Sequence, residues 1–521
     1  AIIRREVFGM ALQTFAAIYI GTYEVSLKIF EFSGKKKIHE IDHIRSRVEL
    51  GRDAYTKGVI GYELVDELCD TLEEFSDIMK GYKVDQYEAY ASAVLRDSSN
   101  ELFILDQIRL RTGFQVQVIS NSEHRFISYK SVAGREEFEK MIQSSAAVVD
   151  VGGAGLQITL FRNGSLVTTQ HVVLGTLRLS DLLRDRSKSL VMAEKQIEEL
   201  INKKLETIRH LYLKEEVQYI IFMGDYCMEL MRHLDKNNQQ DNVVRTEKFL
   251  KYIGKLQKKT IEEISTELNL ANDNDPLIVP SILLFKALAE NMKSHQVWVP
   301  GVNINDGIAY SYAERNHLVK SIHDFEQDII SAAMNLSRHY FSYSPHIEAL
   351  TQMSTKIFDT MRKTHGLGNR EKLLLEVATI LHDCGKYVSF ANSPECAYQI
   401  IMSSEIIGLT HLEREIVALT VLYNTLPLPQ YEELSDKLNQ YSYMVVAKLS
   451  AILRLSNALD QSHKQKFKNL RISIKGKELI ITVESFEDIS LEQALFEEKT
   501  AYFESVFSIK PVLKEKRIYD F

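Results

Sequence analysis

Residues 148–158, Val-Val-Asp-Val-Gly-Gly-Ala-Gly-Leu-Gln-Ile, constrain this chain more than any other stretch. A β-branched run ends at Asp150, and Gly152, Gly153 and Gly155 follow directly. A strand feeding such a turn lets backbone N–H groups approach an anion that a Cβ would hold away. Alone, a glycine turn is more often simply a tight turn. A second strand and glycine, Phe15-Ala-Ala-Ile-Tyr-Ile-Gly21-Thr22, lies about one small domain upstream. Two such turns facing each other make a phosphate clamp, which predicts two α/β halves with an anion between them.

The flanking segments agree. Residues 14–31 predict strand, turn and strand. Residues 60–80 place Ile60, Leu64, Leu68, Leu72, Phe75 and Met79 at helical spacing. Strands are predicted at 87–94 and 114–120, flanking a helix at 100–111. A second unit opens with strand 146–151, passes through its glycine turn to strand 156–162, and reverses at Asn163-Gly164 into strand 166–170; that dipeptide between β-rich runs is a hairpin signal. An amphipathic helix is expected at 193–213 and a strand at 219–223. Residues 232–275, rich in Lys, Asn, Asp and Gln, predict helices joined by mobile loops. Near 314 the texture changes. From 322 to about 465 nearly every segment reads as helical, and 469–484 predicts a hairpin around Lys475-Gly476.

A chain of 521 residues has room for two to four domains, each with its own core. The net charge of −8 argues against general nucleic-acid or anionic-membrane binding, so an anionic ligand needs a local basic pocket. Cys69, Cys227, Cys384 and Cys396 are scattered without a CxxC, which favours a reducing cytosol over a disulfide framework. No apolar run reaches the roughly 18 residues of a membrane span, and the opening Ala-Ile-Ile-Arg-Arg-Glu has no signal-peptide core. The expectation is a soluble cytoplasmic protein.

In order and spacing, the segments resemble the exopolyphosphatase / guanosine pentaphosphate phosphohydrolase (Ppx/GppA) family over essentially the whole chain. The matching pieces begin with Ala17-Ile-Tyr-Ile-Gly-Thr22, Arg47-Val-Glu-Leu-Gly51 and 91–100. Val118-Ile-Ser120, Asp150-Val-Gly-Gly153 and Gly175-Thr-Leu-Arg-Leu179 follow, then 302–307, Leu381-His-Asp-Cys-Gly385 and 453–460. The resemblance implies an α/β fold of two actin-like ATPase (ribonuclease H-like) domains, at 1–133 and 134–314. An all-α HD-like domain at 315–521 follows, with a small C-terminal β hairpin. It also implies hydrolysis of the terminal phosphate of inorganic polyphosphate or pppGpp in the cleft between the actin-like domains. Mg²⁺ and a glutamate that activates water would assist, in a homodimer; the net charge adds the expectation of no nucleic-acid or membrane partner. Such chemistry needs donors on the phosphate oxygens, a metal to offset charge, and a positioned base. By the same resemblance, phosphate binding falls to Gly21, Thr22, Arg96, Asn100, Gly152, Gly153, Gly155 and Arg178. Guanidinium forks suit phosphate oxygens; the alternative for both arginines is a surface ion pair.

This chain departs from the family pattern at the acidic positions. Where the family reads Asp-Leu-Gly-Ser-Asn-Ser, it has Tyr19-Ile20-Gly21-Thr22-Tyr23-Glu24, and tyrosine offers a hard cation no carboxylate. In the second loop, Asp-Ile-Gly-Gly-Gly-Ser-Thr-Glu in the family, Asp150 remains as the candidate Mg²⁺ ligand. Ala154 replaces a glycine, Gly155 and Leu156 replace the hydroxyl pair, and Gln157 replaces the glutamate. An amide does not take up a proton as a carboxylate does. The family's Ser-Gly-x-Glu-Glu-Ala leaves Glu123 and His124 here as candidate bases, since histidine accepts a proton near neutral pH. The other reading of this pair is two solvent-facing residues at a helix start. Asp225 brings a negative charge where the family has a Gly-Gly-Thr-like turn.

Two functions stay open. One is a Ppx/GppA-type phosphatase with Glu123, His124 and Gln157 as catalytic candidates. The other is a catalytically weakened relative that binds and senses polyphosphate or (p)ppGpp. A third, an ATP-dependent kinase of the actin-like superfamily, lacks a clear adenosine-binding Gly-Gly segment in 280–312. In the helical domain, His346, His382 and Asp383 are candidate metal ligands in the HD arrangement. Asn457 stands at the fourth position and Asp460 lies one helical turn further. Three ligands with a weak fourth hold a cation poorly; the alternative is a polar cluster satisfied within the core.

Overall fold

The computed structural model of the chain describes residues 13–33, 37–153, 155–184, 190–213, 216–224, 226–234, 242–270 and 277–517. It forms two compact units, one ending at Asp324 and the other beginning at Phe325.

The first unit repeats one sheet plan twice. β1 (Gln13–Ile20), β2 (Glu24–Ser33) and β3 (Lys37–Arg47) are antiparallel neighbours, and β4 (Gln86–Ala91) and β5 (Val116–Val118) add in parallel beyond β1, giving the order β3-β2-β1-β4-β5. In the second sheet, β6 (Ser145–Val151), β7 (Leu156–Arg162) and β8 (Ser165–Val172) are again antiparallel. β9 (Tyr219–Gly224), β10 (Val243–Arg245) and β11 (Gln296–Trp298) complete it in the order β8-β7-β6-β9-β11-β10, with β9 and β11 parallel to β6. The duplicated order is that of two actin-like ATPase, or ribonuclease H-like, folds. Asn163 and Gly164 both take positive φ, 51° and 74°, as a two-residue hairpin turn requires.

β1 is buried on both faces, which is why it reads as an unbroken apolar run. Ala16, Ile18 and Ile20 pack with Leu68, Leu72 and Phe75 of helix Tyr62–Tyr82 and with Ile104 and Ile108 of helix Glu101–Thr112. Phe15, Ala17 and the ring of Tyr19 face the other way, onto Ile304 and Ile308 of helix Ile304–Arg315 and Ile127 of helix Asn121–Ala133. Helix Ile304–Arg315 follows the second sheet in sequence, yet it covers the first.

That covered face hides a charge. Lys28 Nζ, with a side chain 4% exposed, donates to Asp306 Oδ2 at 2.9 Å and Glu40 Oε2 at 3.0 Å. Asp306 Oδ2 also accepts the Asn303 N–H that caps helix Ile304–Arg315. Next along the helix, Asn305 Oδ1 accepts from Ser26 Oγ at 2.8 Å, and its Nδ2 donates to Ala17 O at 2.8 Å. His43 lies opposite Lys28 across β2 and β3. Burial first, then the charges of Lys28 and Arg45, lowers its pKa to about 4.

Two expected strands are shorter than the sequence indicates. The one at 87–94 stops at Ala91, because Ser92 Oγ accepts the Val94 N–H and starts helix Ala93–Arg96. The one at 114–120 contracts to β5, because Ser120 caps helix Asn121–Ala133. The loops expected within 232–275 lie partly outside the described residues.

In the second unit, helices Ser344–Thr360, Asn369–Leu381, His411–Leu422 and Gln440–Leu459 pack together. β12 (Phe467–Lys475) and β13 (Glu478–Ser485) form the expected hairpin. β14 (Lys510–Arg517) then joins β13 in parallel after helix Ser490–Phe507, making a three-stranded sheet. None of the four cysteines forms a disulfide. No helix among the described residues is long and apolar enough to cross a membrane.

Candidate functional site

The two glycine turns are built alike, each pressed on by a following helix. In the first, the Gly21 N–H donates to Glu24 O at 2.8 Å and closes the β1–β2 hairpin. Thr22 O accepts the Gly51 N–H at 2.7 Å. A Cβ on Gly51 would stand 2.1 Å from Thr22 Cγ2, so helix Leu50–Lys57 reaches the turn only through a glycine. In the second, the Gly152 N–H donates to Gly155 O at 3.0 Å, and the N–H groups of Thr176 and Leu177 donate to the carbonyls of Gly152 and Gly153. A Cβ on Gly175 would stand 2.1 Å from Gly153 O. The amides of Gly21 and Gly152 are thus used in closing their own turns.

Tyr19 and Asp150 hold the same place in their sheets, each two residues before the first glycine of its turn. They also meet. The Tyr19 hydroxyl lies beside Ser92 and within electrostatic reach of Asp150; burial, with Asp150 adding to it, pushes its pKa above the ordinary phenol value. The Tyr19 ring sits 5.5 Å from that of His124, which helix Asn121–Ala133 brings in. Burial lowers the His124 pKa below the ordinary imidazole value, with Asp150 opposing and Arg125 assisting. Two groups of the first lobe therefore feel a carboxylate of the second.

Gln157 is the direct cross-strand partner of Asp150. Its side chain is 6% exposed, and its Nε2 donates to Thr159 Oγ1 at 3.3 Å. Gln157 Oε1 is buried without a partner. A buried acceptor left unmatched costs roughly 1–3 kcal/mol. A carboxylate and an amide oxygen side by side are donors of the kind Mg²⁺ takes, so these two residues fit the cation. His171, exposed on β8, is the next partner along the row. Its Cε1 lies 2.6 Å from where a Cβ of Gly155 would be. Sequence reasoning missed His171. Counting back from the Asn163-Gly164 turn puts Gln170 opposite Gln157, but a one-residue bulge at Val167 shifts the register.

Of the other candidates, Glu123 holds its helix start. Its Oε2 accepts the Ser120 N–H at 2.8 Å, while Ser120 Oγ accepts the Glu123 N–H at 3.2 Å. Asn100 braces a loop, with Oδ1 accepting the Ile60 N–H and Nδ2 donating to Ile60 O. Arg96 is exposed, its Nε 3.6 Å from Asp97. Arg178 is exposed in the first turn of helix Thr176–Arg184, the helix docked on the second glycine turn. Ala154 and Asp225 lie outside the described residues.

The second unit has its own cluster. His346 and His382 point their Nε2 atoms at each other, 3.3 Å apart, and Asp383 Oδ1 is 3.3 Å from His382 Nε2. One ligand atom from each of the three residues falls within 4.8 Å of the others. The far nitrogens are both held: His346 Nδ1 by Asp460 Oδ2 at 2.7 Å, His382 Nδ1 by Thr379 O at 2.7 Å. Tetrahedral Zn²⁺ with bonds of about 2.1 Å separates its ligand atoms by roughly 3.4 Å, and outer partners of this kind orient metal-binding imidazoles. The donor set therefore fits a cation. Asp460, rather than Asn457, joins the cluster, and it does so behind His346. Burial lowers the His382 pKa; burial would raise that of Asp383, but His382 and Lys386 outweigh it and lower it.

A family model described as the Ppx/GppA phosphatase family matches residues 29–316, and one described as Ppx/GppA phosphatase, domain III, matches residues 331–500. Among solved structures, the chain is similar to the Aquifex aeolicus member of the Ppx/GppA protein family, at 18% identity over 58% of this chain and 99% of that one, with a TM-score of 0.50. It is also similar to an exopolyphosphatase from Cytophaga hutchinsonii, at 18% identity over 59% and 99%, with a TM-score of 0.52. At these identities the likeness is one of fold.

Proposed function

Because this chain belongs to the Ppx/GppA phosphatase family, we propose that lobes 1–133 and 134–314 close on the phosphoanhydride chain of polyphosphate or pppGpp and hydrolyse its terminal phosphate in the cytoplasm. The observation carrying this reading is that Tyr19 and His124, their rings 5.5 Å apart, both lie within electrostatic reach of Asp150 near the strand ends that bear the two glycine turns. Thr22, Gly153 and Gly155, with Arg96 and Arg178 at the rim, would grip the phosphate oxygens. Asp150 and Gln157 Oε1 would hold Mg²⁺, which offsets phosphate charge when bound. His124, kept neutral by burial, accepts the proton of the attacking water, in preference to Glu123 with its capped carboxylate.

The sign of the pH dependence follows. An imidazole held below its ordinary value of about 6.5 stays unprotonated through neutral pH, so the rate falls only in more acid solution. His124→Gln should lower phosphate release by about 10²-fold or more and remove that acid limb. A pH–rate profile identical in the variant would eliminate His124 as the base.

A second reading has its own support. The phenol of Tyr19 and the amide of Gln157 stand where carboxylates would serve a hydrolase, which favours a binder or sensor of polyphosphate or (p)ppGpp. Calorimetry showing binding of either ligand, with no phosphate released in Mg²⁺, selects the sensor. Release from either substrate selects the phosphatase.

For the second unit we propose that His346, His382 and Asp383 hold a divalent cation. Zn²⁺ or Mn²⁺ should then raise its melting temperature by a few degrees, and His346→Gln should abolish the rise. An unchanged melt of the wild-type chain with either ion would leave only a polar core cluster.

A further inference from the structure

Three side chains stand in a row across one face of the second sheet. Asp150 on β6 is the direct partner of Gln157 on β7, and Gln157 of His171 on β8. Direct cross-strand partners share a face and come within reach of one another. Thr159 and Thr169 make the next row on that face, both buried, and the Thr169 hydroxyl donates to that of Thr159 at 3.2 Å. Gln157 Nε2 donates to the same Thr159 oxygen, which leaves Gln157 Oε1 buried and bare. His171 enters the row through the bulge at Val167; a regular hairpin would put Gln170 there. Bulges of this kind re-aim a side chain beside a functional site. Gly155 then makes room for the imidazole. A Cβ on it would stand 2.6 Å from His171 Cε1 and 3.1 Å from Nε2, so the ring lies directly against the glycine turn.

We infer that His171 is the third ligand of a divalent cation and decides which metal is held, an assignment that rests on the cation placement at Asp150 and Gln157 proposed for the cleft. Neighbouring strands lie about 4.8 Å apart, so Asp150 and His171 stand about 10 Å apart at their Cα atoms. An aspartate and an imidazole leaning inward over Gln157 close that span around one ion, with bonds of about 2.1 Å. Coordination also supplies Gln157 Oε1 with the partner it lacks. The donor set is one charged oxygen, one neutral oxygen and one ring nitrogen. Mg²⁺ takes oxygen ligands and gains little from an imidazole. Later first-row ions such as Co²⁺ and Zn²⁺ bind imidazole readily. The row therefore favours a transition ion over Mg²⁺.

Calorimetric titration of the full chain with Co²⁺ and with Mg²⁺ tests it. His171→Leu should weaken Co²⁺ binding about tenfold or more and leave Mg²⁺ binding unchanged. The cluster in the second unit is common to both proteins and cancels in the comparison. His171 is exposed on an edge strand, so the metal-free variant should melt with the wild type. His171→Asp, which offers an oxygen instead, should turn the preference toward Mg²⁺. Co²⁺ binding weakened by Asp150→Asn but untouched by His171→Leu overturns the third ligand and leaves the cation placement standing. Binding of both ions indifferent to Asp150→Asn and to His171→Leu overturns the placement itself.

Discussion

Replacing Tyr19 by aspartate and Gln157 by glutamate together should raise Mg²⁺-dependent phosphate release about a hundredfold or more, the scale on which positioned bases and metal ligands act. Tyr19 stands in the first lobe where Asp150 stands in the second, and Gln157 faces Asp150 directly across β6 and β7. The double variant therefore surrounds one position with three carboxylates drawn from both lobes. Without a cation, three converging and partly buried negative charges repel one another and lose hydration. The same variant should thus melt below the wild type in chelator and recover when Mg²⁺ is added, by an amount that rises with Mg²⁺ concentration. Phosphate release and a melting curve at several Mg²⁺ levels read both effects. A variant with neither a rate gain nor a Mg²⁺-dependent melt would falsify the placement of the cation beside Asp150.

Lys28→Met should destabilise the first unit by about 3–5 kcal/mol, the range for breaking a buried ion pair by removing one partner. The methionine fills much the same volume, so the loss is electrostatic: Asp306 keeps its capping bond but loses its counter-charge within the fold. Asp306→Asn should be milder, because the amide oxygen still caps the helix.

The pH dependence carries a second signature. His43 titrates at about 4 in the folded chain and near 6.5 when unfolded. The unfolded chain binds this proton first, so the stability His43 contributes is complete above about 6.5 and is lost as pH falls toward 4. Removing the Lys28 charge raises the folded pKa and flattens that loss. Urea melts at pH 7 and pH 5 measure both effects; an unchanged slope between them would show that the Lys28 charge does not govern His43.

The parts of the fold legible in the sequence were those written in short-range chemistry. Ala146–Val149 and Phe15–Ile18 announce their strands by being apolar on both faces, and Asn163-Gly164 fixes its hairpin through two positive φ angles. β3 was illegible because it is an edge strand, charged and largely exposed, with no buried face to impose a period. β14 was illegible for a related reason: its alternating lysines resemble a solvated tail until the crossover helix lays it beside β13.

At the candidate site, the glycine turns, His124 and Asp150 could be named from local pattern. The engagement of Glu123 and Asn100 by neighbouring backbone could not, since a carboxylate or an amide reads alike in sequence whether it caps or catalyses. His171 depended on a bulge, and Asp460 on a side chain reaching a helix more than a hundred residues earlier.

Helix Ile304–Arg315 leaves one more mark, on the order in which this molecule is made. A ribosome completes β5 long before it supplies the segment that shields Phe15, Ala17 and Phe30 from water. Until then the first lobe is unfinished, with a greasy flank open to chance encounters. It matures only when its younger neighbour has been threaded out behind it, so the two lobes share a single birth date.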